Sequence, residues 1–218
     1  GTGVLTKFLL EKNCHLKLIE IDSESIEFLK QTYLETKDFI VEKDFLKLNL
    51  EDFNSRSLKI IGNFPYYISS QIFFKILEHK NIVFKTVGMI QREVARRIAS
   101  KPGSKEYGIL SVLLQAFYSI EYLFTVNENV FSPPPKVKSA VIRLKRNNVE
   151  NLDCDEILFK KIIKATFNQR RKTIRNSLKS ILVNLNFDHE LLTFRPEQLT
   201  VTQFIELTNL IDQNSEIK

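Results

Sequence analysis

The sequence has very little cysteine. Only Cys14 and Cys154 occur in 218 residues. A disulfide framework is therefore excluded, a reducing compartment is the expected setting, and both thiols read as inert packing groups. Histidine is scarce as well. His15, His79 and His189 lie far apart with no Cys/His cluster, so no metal site is expected. Long apolar runs are missing too. The longest candidate, 109–124, is interrupted by Gln115 and Glu121, and a membrane span needs roughly 18 uninterrupted apolar residues. No internal repeat or low-complexity tract is visible. Methionine occurs once, at Met89, and residue 1 is glycine, so the sequence is not expected to be an intact translation product.

What is present suits a globular protein. Apolar residues make up 43% and charged residues 27%, which is too apolar for general disorder. The length fits one large domain or one domain with a small annex. Lys and Arg number 32 against 26 Asp and Glu, a net charge of +6. Up to about residue 146, strand-like and helix-like segments alternate. Strands are expected at 15–22, 39–41, 58–62, 85–90, 120–126 and 140–144. Helices are expected after Gly3, from an N-cap at Ser23 to about Tyr33, and over 69–78, 92–100 and 109–118. Alternation of this kind predicts a doubly wound α/β sheet. After the polar stretch 147–151 only helical periodicity remains. Two domains follow, an α/β domain at 1–148 and a small all-helical one at 149–218.

Four features fall just past strand ends, where open α/β sheets bind ligands. Gly1 and Gly3 open a helix, as a glycine-rich loop does. Glu20 ends the next strand, and a carboxylate there can accept two hydrogen bonds from a ribose diol. Asp44 follows the strand expected at 39–41. Asn63-Phe64-Pro65-Tyr66 follows the one expected at 58–62. The first two alone would suit a dinucleotide enzyme, but the tetrad suits methyl transfer to an exocyclic amine of a base. Such an amine is a poor nucleophile because its lone pair is delocalised into the ring. The Asn63 side-chain oxygen and a backbone carbonyl, of the residue before Pro65 or of Pro65 itself, can hold its two hydrogens. The nitrogen lone pair is then aimed at an electrophile. Pro65 fixes the backbone, and Tyr66 offers a ring for stacking.

On these residues the sequence resembles the ribosomal RNA adenine dimethyltransferase family. The segments that carry the resemblance are Gly-Thr-Gly-Val-Leu-Thr (1–6), Ile-Glu-Ile-Asp (19–22), Asn-Phe-Pro-Tyr-Tyr-Ile-Ser (63–69), Phe-Ser-Pro-Pro-Pro-Lys-Val-Lys-Ser-Ala (131–140) and Phe-Asn-Gln-Arg-Arg-Lys-Thr-Ile-Arg-Asn-Ser-Leu (167–178). The resemblance implies a class I, Rossmann-like methyltransferase sheet with a helical C-terminal domain. It implies S-adenosylmethionine as methyl donor, held by Gly1, Gly3, Glu20, Ile21, Asp44, Phe45 and Asn63. Glu20 would take the ribose and Asp44 the adenine amine, with Phe45 near that ring and the glycines beside the methionine part. Asn63, Phe64, Pro65, Tyr66 and Phe131 would form the catalytic group. Tyr66 and Phe131 would flank the target base. The family pattern also has a first glycine, a preceding Glu and an Asn-Phe-Leu motif ahead of the glycine loop, and the sequence begins after them.

The expected substrate is two adjacent adenosines near the 3′ end of small-subunit rRNA, in a pre-ribosomal small subunit. The enzyme is expected to be a cytoplasmic monomer with no membrane partner. Between Ile157 and Phe187 there is no Asp or Glu. If that segment is one helix, Lys160, Lys161, Lys164, Arg171, Lys172, Arg175 and Lys179 share one side, and Phe159, Ile163, Phe167, Ile174, Leu178 and Ile181 the other. Unpaired positive charge suits a phosphate backbone, so Lys164, Arg171, Lys172, Arg175 and Lys179 are the RNA-binding candidates. Lys136, Lys138, Arg92, Arg96 and Arg97 are weaker ones, since Arg96 and Arg97 can pair with Glu93 or Glu106. Three rivals stand beside this reading. One is the large-subunit methyltransferase of macrolide resistance, against which Asn-Gln-Arg-Arg-Lys-Thr (168–173) argues. The second is a binding protein or transcription factor on the same fold, against which the intact tetrad argues. The third is a nicotinamide dehydrogenase, which has no use for the tetrad.

Overall fold

The structure, a computed structural model, describes residues 1–185 and 187–214. The chain forms two compact units, Gly1–Ser55 and Arg56–Lys218. In the first, a short helix α1 (Thr6–Leu10) precedes strand β1 (Leu18–Glu20), helix α2 (Ser23–Thr32) and strand β2 (Ile40–Glu42). The two strands pair in parallel, with Leu18 opposite Ile40 and Glu20 opposite Glu42. Ile26 and Leu29 of α2 and Leu48 and Leu50 beyond β2 are buried. The cap of α2 is Asp22, one residue before the Ser23 expected. The Asp22 carboxylate accepts the Ser25 N–H at 2.9 Å, so an acid two residues past the strand satisfies an orphan donor of the helix.

The second unit is built on a four-stranded sheet in the order β3-β4-β6-β5. Strand β3 (Leu58–Asn63) leads through helix α3 (Ser69–Glu78) to β4 (Val83–Gln91), which lies parallel to it. Helices α4 (Arg92–Ala99) and α5 (Ile109–Gln115) follow, then β5 (Tyr118–Val126) and β6 (Ser139–Arg146), antiparallel to each other, with β6 antiparallel to β4. Helix α5 stops earlier than its apolar run suggests, because the run continues into β5. Such runs carry no period that separates helix from strand. Phe73, Ile76, Ile90, Leu114, Phe117 and Ile142 form the core between sheet and helices.

Beyond the sheet come α6 (Glu156–Asn168), α7 (Ile174–Leu178) and α8 (Val201–Asn214). Asp155 caps α6 by accepting the Ile157 and Leu158 N–H groups at 2.7 and 2.8 Å. Helices α6 and α8 pack on each other and on α5. Phe167 lies with its ring centroid 6.2 Å from that of Tyr107 and 6.0 Å from that of Phe204. The basic segment is not one helix. It breaks at 169–173 between α6 and α7, where Lys172 N–H bonds the Gln169 carbonyl at 2.8 Å. The apolar side still folds inward, with Phe159, Ile163, Ile174 and Leu178 buried. Among the described residues no helix is long and apolar enough to cross a membrane, and no cluster of His, Cys, Asp and Glu fit to hold a metal occurs.

Candidate active site

The candidate groups form two sets, one in each unit. In the first, Glu20 stands at the end of β1, and one carboxylate oxygen accepts the Ile21 and Asp22 N–H groups at 2.9 and 3.1 Å. Partial burial works to raise the Glu20 pKa. The two backbone N–H groups work to lower it. Ile21 is exposed beside it. Asp44 follows β2 and accepts the Leu46 N–H at 2.9 Å, capping a single 3-10 turn that begins at Phe45. Gly3 has a φ of +70°, and a Cβ there would meet Leu29 Cδ2 and Tyr33 Cε2 at 2.7 Å. Only glycine meets both conditions at no cost. A Cβ on Gly1 would meet nothing within 4 Å.

The second set lies at one end of the strands of the four-stranded sheet. Asn63 ends β3 opposite Met89, and Ser139 begins β6 opposite Gln91 of β4 and Val126 of β5. The tetrad and the 127–138 loop therefore rise from the same end of the sheet, and β-pairing alone brings residues some 70 positions apart together there. The Ser132–Pro133 peptide of that loop is cis. Phe131 is half-buried in the loop, and Lys136 is exposed.

The tetrad divides into anchors and free groups. Phe64 turns under the strand ends. A Cβ on Gly88 would meet its Cε2 at 2.6 Å and one on Gly62 its Cε1 at 3.1 Å, and its ring stands edge-on to Phe73 with centroids 5.9 Å apart. Burying a Phe contributes about 1.5–3 kcal/mol. Two strand glycines therefore make the seat for one loop phenylalanine, which places Phe64 below the loop as its anchor. The Pro65 carbonyl accepts the Ile68 N–H at 3.2 Å, closing a turn. The Tyr66 hydroxyl bonds Ser139 Oγ at 2.5 Å, and the Tyr66 carbonyl accepts from Ser69 Oγ at 3.1 Å. Asn63 and Pro65 are exposed on this fastened loop.

Sequence reasoning assigned nothing to Ser139, Gly62 or Gly88. The available signal was a glycine inside each of two strands, which marks close approach of another group.

The basic candidates differ in their partners. Arg175 pairs with Asp188, and Lys172 donates to Gln169 Oε1 at 2.8 Å. Lys164 and Arg171 are exposed, without a side-chain partner among the described residues. Arg170 binds the Ser104 carbonyl at 3.2 Å and approaches Glu197 at 3.7 Å. Arg96 and Arg97 are paired with Glu106 and Glu93, each at 3.1 Å.

Comparison with known proteins agrees with this arrangement. The family described as ribosomal RNA adenine dimethylase matches residues 1–213. A protein of Bacteroides thetaiotaomicron named ribosomal RNA small subunit methyltransferase A is 57% identical over 217 residues, 98% of this chain and 81% of that protein. One of the same name from Cytophaga hutchinsonii is 56% identical over 213 residues, 97% of this chain and 83% of that protein. Among solved structures, a dimethyladenosine transferase from Plasmodium falciparum superposes with a TM-score of 0.83 at 24% identity, covering 99% of this chain and 89% of that one. The 23S rRNA methyltransferase ErmE superposes at 0.66 with 23% identity, covering 96% and 88%. Both likenesses show the fold, a Rossmann-like methyltransferase α/β fold. With nearly every residue inside the family's pattern, the chain belongs to the ribosomal RNA adenine dimethylases.

Proposed function

We propose that this methyltransferase moves methyl groups from S-adenosylmethionine to the N6 amines of two adjacent adenosines near the 3′ end of small-subunit rRNA, within a pre-ribosomal small subunit. It acts as a monomer in the cytoplasm. The observation that carries the reading is Asn63, an exposed amide on a loop fastened from below by Phe64 and from the side by the Tyr66–Ser139 bond. The names of its bacterial relatives favour the small subunit over the large one.

Asn63 Oδ1 accepts one amine hydrogen. The Pro65 carbonyl already closes the turn to Ile68, so the Phe64 carbonyl is the backbone acceptor we assign to the second. Holding both hydrogens localises the nitrogen lone pair and aims it, a contribution of positioning and electrostatics rather than of proton removal. Tyr66 and Phe131 flank the base. The residues of the first unit fit the donor. Glu20 offers a carboxylate to a diol, Asp44 an acceptor to an amine, and Phe45 and Ile21 apolar surface. Gly1 and the tightly packed Gly3 let backbone come close to its methionine part. When bound, S-adenosylmethionine supplies an electrophilic methyl group. Residues 1–148 make up the methyl-transfer part and 149–218 the rRNA-binding part, with the exposed Lys164 and Arg171 foremost on its phosphate-facing side, Lys172 and Lys179 beside them, and Arg175 already held by Asp188.

The test is methylation by labelled donor. Unmodified small subunits should accept label at adenine N6 and large subunits should not. Label entering the large subunit instead would favour the macrolide-resistance reading. Glu20→Ala and Asp44→Ala should each weaken donor binding by about 1–3 kcal/mol by calorimetry, with RNA affinity unchanged. RNA affinity falling while donor affinity holds would refute the donor assignments.

A further inference from the structure

The tetrad loop carries a second tyrosine that the site described above does not use. Tyr67 is 84% exposed. It sits at the tip of the turn that the Ile68 N–H closes onto the Pro65 carbonyl. Its neighbour Tyr66 is committed: the Tyr66 ring is half-buried and its hydroxyl bonds Ser139 Oγ at 2.5 Å. Tyr67 is exposed and makes no such bond among the described residues. It follows the exposed Asn63 and Pro65 by a few residues, on a loop anchored by Phe64 in its glycine seat, by Ser69 Oγ on the Tyr66 carbonyl and by Ser139. The backbone beneath the ring is therefore already ordered, and little further entropy is lost when the ring meets a partner.

A large planar ring left in water on an ordered turn, beside an amide that handles a base, matches one kind of surface well. An unstacked nucleobase offers a flat apolar face of similar size, and aromatic side chains take such bases without regard to their sequence. Removing a target adenosine from its stack also exposes the face of the base next to it, which then needs a new neighbour. We propose that Tyr67 is a positioning residue for the RNA. Its ring stacks on the nucleotide flanking the target adenosine and holds the single-stranded segment open while the target enters. The inference rests on the assignment of Asn63 to the target amine. It adds a stacking subsite outside the target-base pocket, set by ring stacking rather than by hydrogen-bond readout.

The experiment uses steady-state methylation of unmodified small subunits by the intact protein. Tyr67→Ala should raise the KM for subunits by about tenfold, leave the donor Kd and the melting temperature unchanged, and change kcat little. Tyr67→Phe should stay near the parent, because the hydroxyl has no part in stacking. These 218 residues hold no tryptophan, so Tyr67→Trp adds a fluorescent reporter at the tip. Its emission should be quenched on adding a single-stranded oligoadenylate, and the variant should remain active. A Tyr67→Ala enzyme whose KM stays within twofold of the parent overturns the proposal, as does an active Tyr67→Trp enzyme whose emission ignores the RNA. Asn63→Ala separates the two levels of the argument. If that variant keeps its rate, the assignment of the site fails. If it loses its rate while Tyr67→Ala behaves like the parent, only the stacking subsite fails.

Discussion

The two ends of the four-stranded sheet use polar groups in opposite ways. At the end where β3 and β4 begin, Arg146 is fully engaged. It donates to the carbonyls of Lys80 at 2.9 Å, Phe117 at 2.7 Å and Val149 at 2.7 Å, and to Asn147 Oδ1 at 3.1 Å. Lys80 is paired with Glu156 at 3.0 Å, and the Tyr118 hydroxyl donates to the Val83 carbonyl at 3.0 Å. A cavity of about 390 Å³ lies here, lined in part by Arg56, Lys80 and Arg146, yet two of these three cations are already bound within the fold. At the other end Asn63, Pro65 and Tyr67 are exposed, and the side chains around them are spent on holding the loop. Polar groups with complete partners hold a fold, whereas polar groups left open on a rigid support are free to meet a substrate. A cavity alone does not mark the site.

The comparison breaks if a substitution at one end behaves like one at the other. Asn63→Ala should cut kcat by about 10²-fold or more, the scale for losing one preorganised hydrogen-bond partner in a transition state, with the melting temperature unchanged. Arg146→Met should do the reverse. Each hydrogen bond to a charged group contributes roughly 1.5–3 kcal/mol, and four acceptors lose their donor together, so stability should fall by about 3 kcal/mol or more while kcat per folded molecule holds. Thermal melts and single-turnover rates measured on both proteins decide it. An Asn63→Ala protein within threefold of the parent rate would sink the mechanism.

Much of this contrast could be read from the residues alone, and the part that could not has a physical cause. The strand-end positions of Glu20, Asp44 and Asn63 follow from local patterning, because an apolar strand stopping at a polar residue is a local signal. Helix α3 runs from Ser69 to Glu78 as the spacing predicts. The division of labour within the tetrad is not local. Phe64 is an anchor because Gly62 and Gly88 leave room for its ring, and Gly88 lies on another strand. Tyr66 is fixed by Ser139, 73 residues away. The break at 169–173 was also hidden, since the run of basic and apolar residues continues across it without a proline or glycine. Helical spacing is a weak prior that tertiary packing overrides.

Phe131 sharpens the comparison at the open end. It is neither fully exposed like Tyr67 nor buried like Phe64, so its role has to be separated by measurement. As a ring over the target base, its removal should cost methylation the equivalent of about 1–3 kcal/mol and leave the melting temperature nearly untouched. As an anchor of the 127–138 loop, its removal should cost stability on the scale of a buried phenylalanine, about 3–5 kcal/mol. We expect the first outcome, with Phe131→Tyr only mildly impaired. A Phe131→Ala protein that melts far below the parent would move Phe131 to the anchors.

The smallest expected effect concerns the same contrast written in surface charge. Arg96 and Arg97 project from α4 but are paired with Glu106 and Glu93. Lys164 and Arg171 project from the C-terminal segment and have no partner among the described residues. An exposed ion pair is worth at most about 1 kcal/mol, so Arg97→Ala should barely change stability. It should also leave RNA affinity nearly intact, because a guanidinium already facing a carboxylate has little field left for a phosphate. Lys164→Ala and Arg171→Ala should weaken binding to any RNA sequence alike. Each should also flatten the slope of log affinity against log salt by about one unit, the loss of one phosphate contact and its released counterion. Salt titrations of RNA binding measure that slope directly. If Arg97→Ala flattens it and Arg171→Ala does not, the rule that an internal partner removes a cation from RNA recognition fails for this protein, and the phosphate-facing surface belongs on α4.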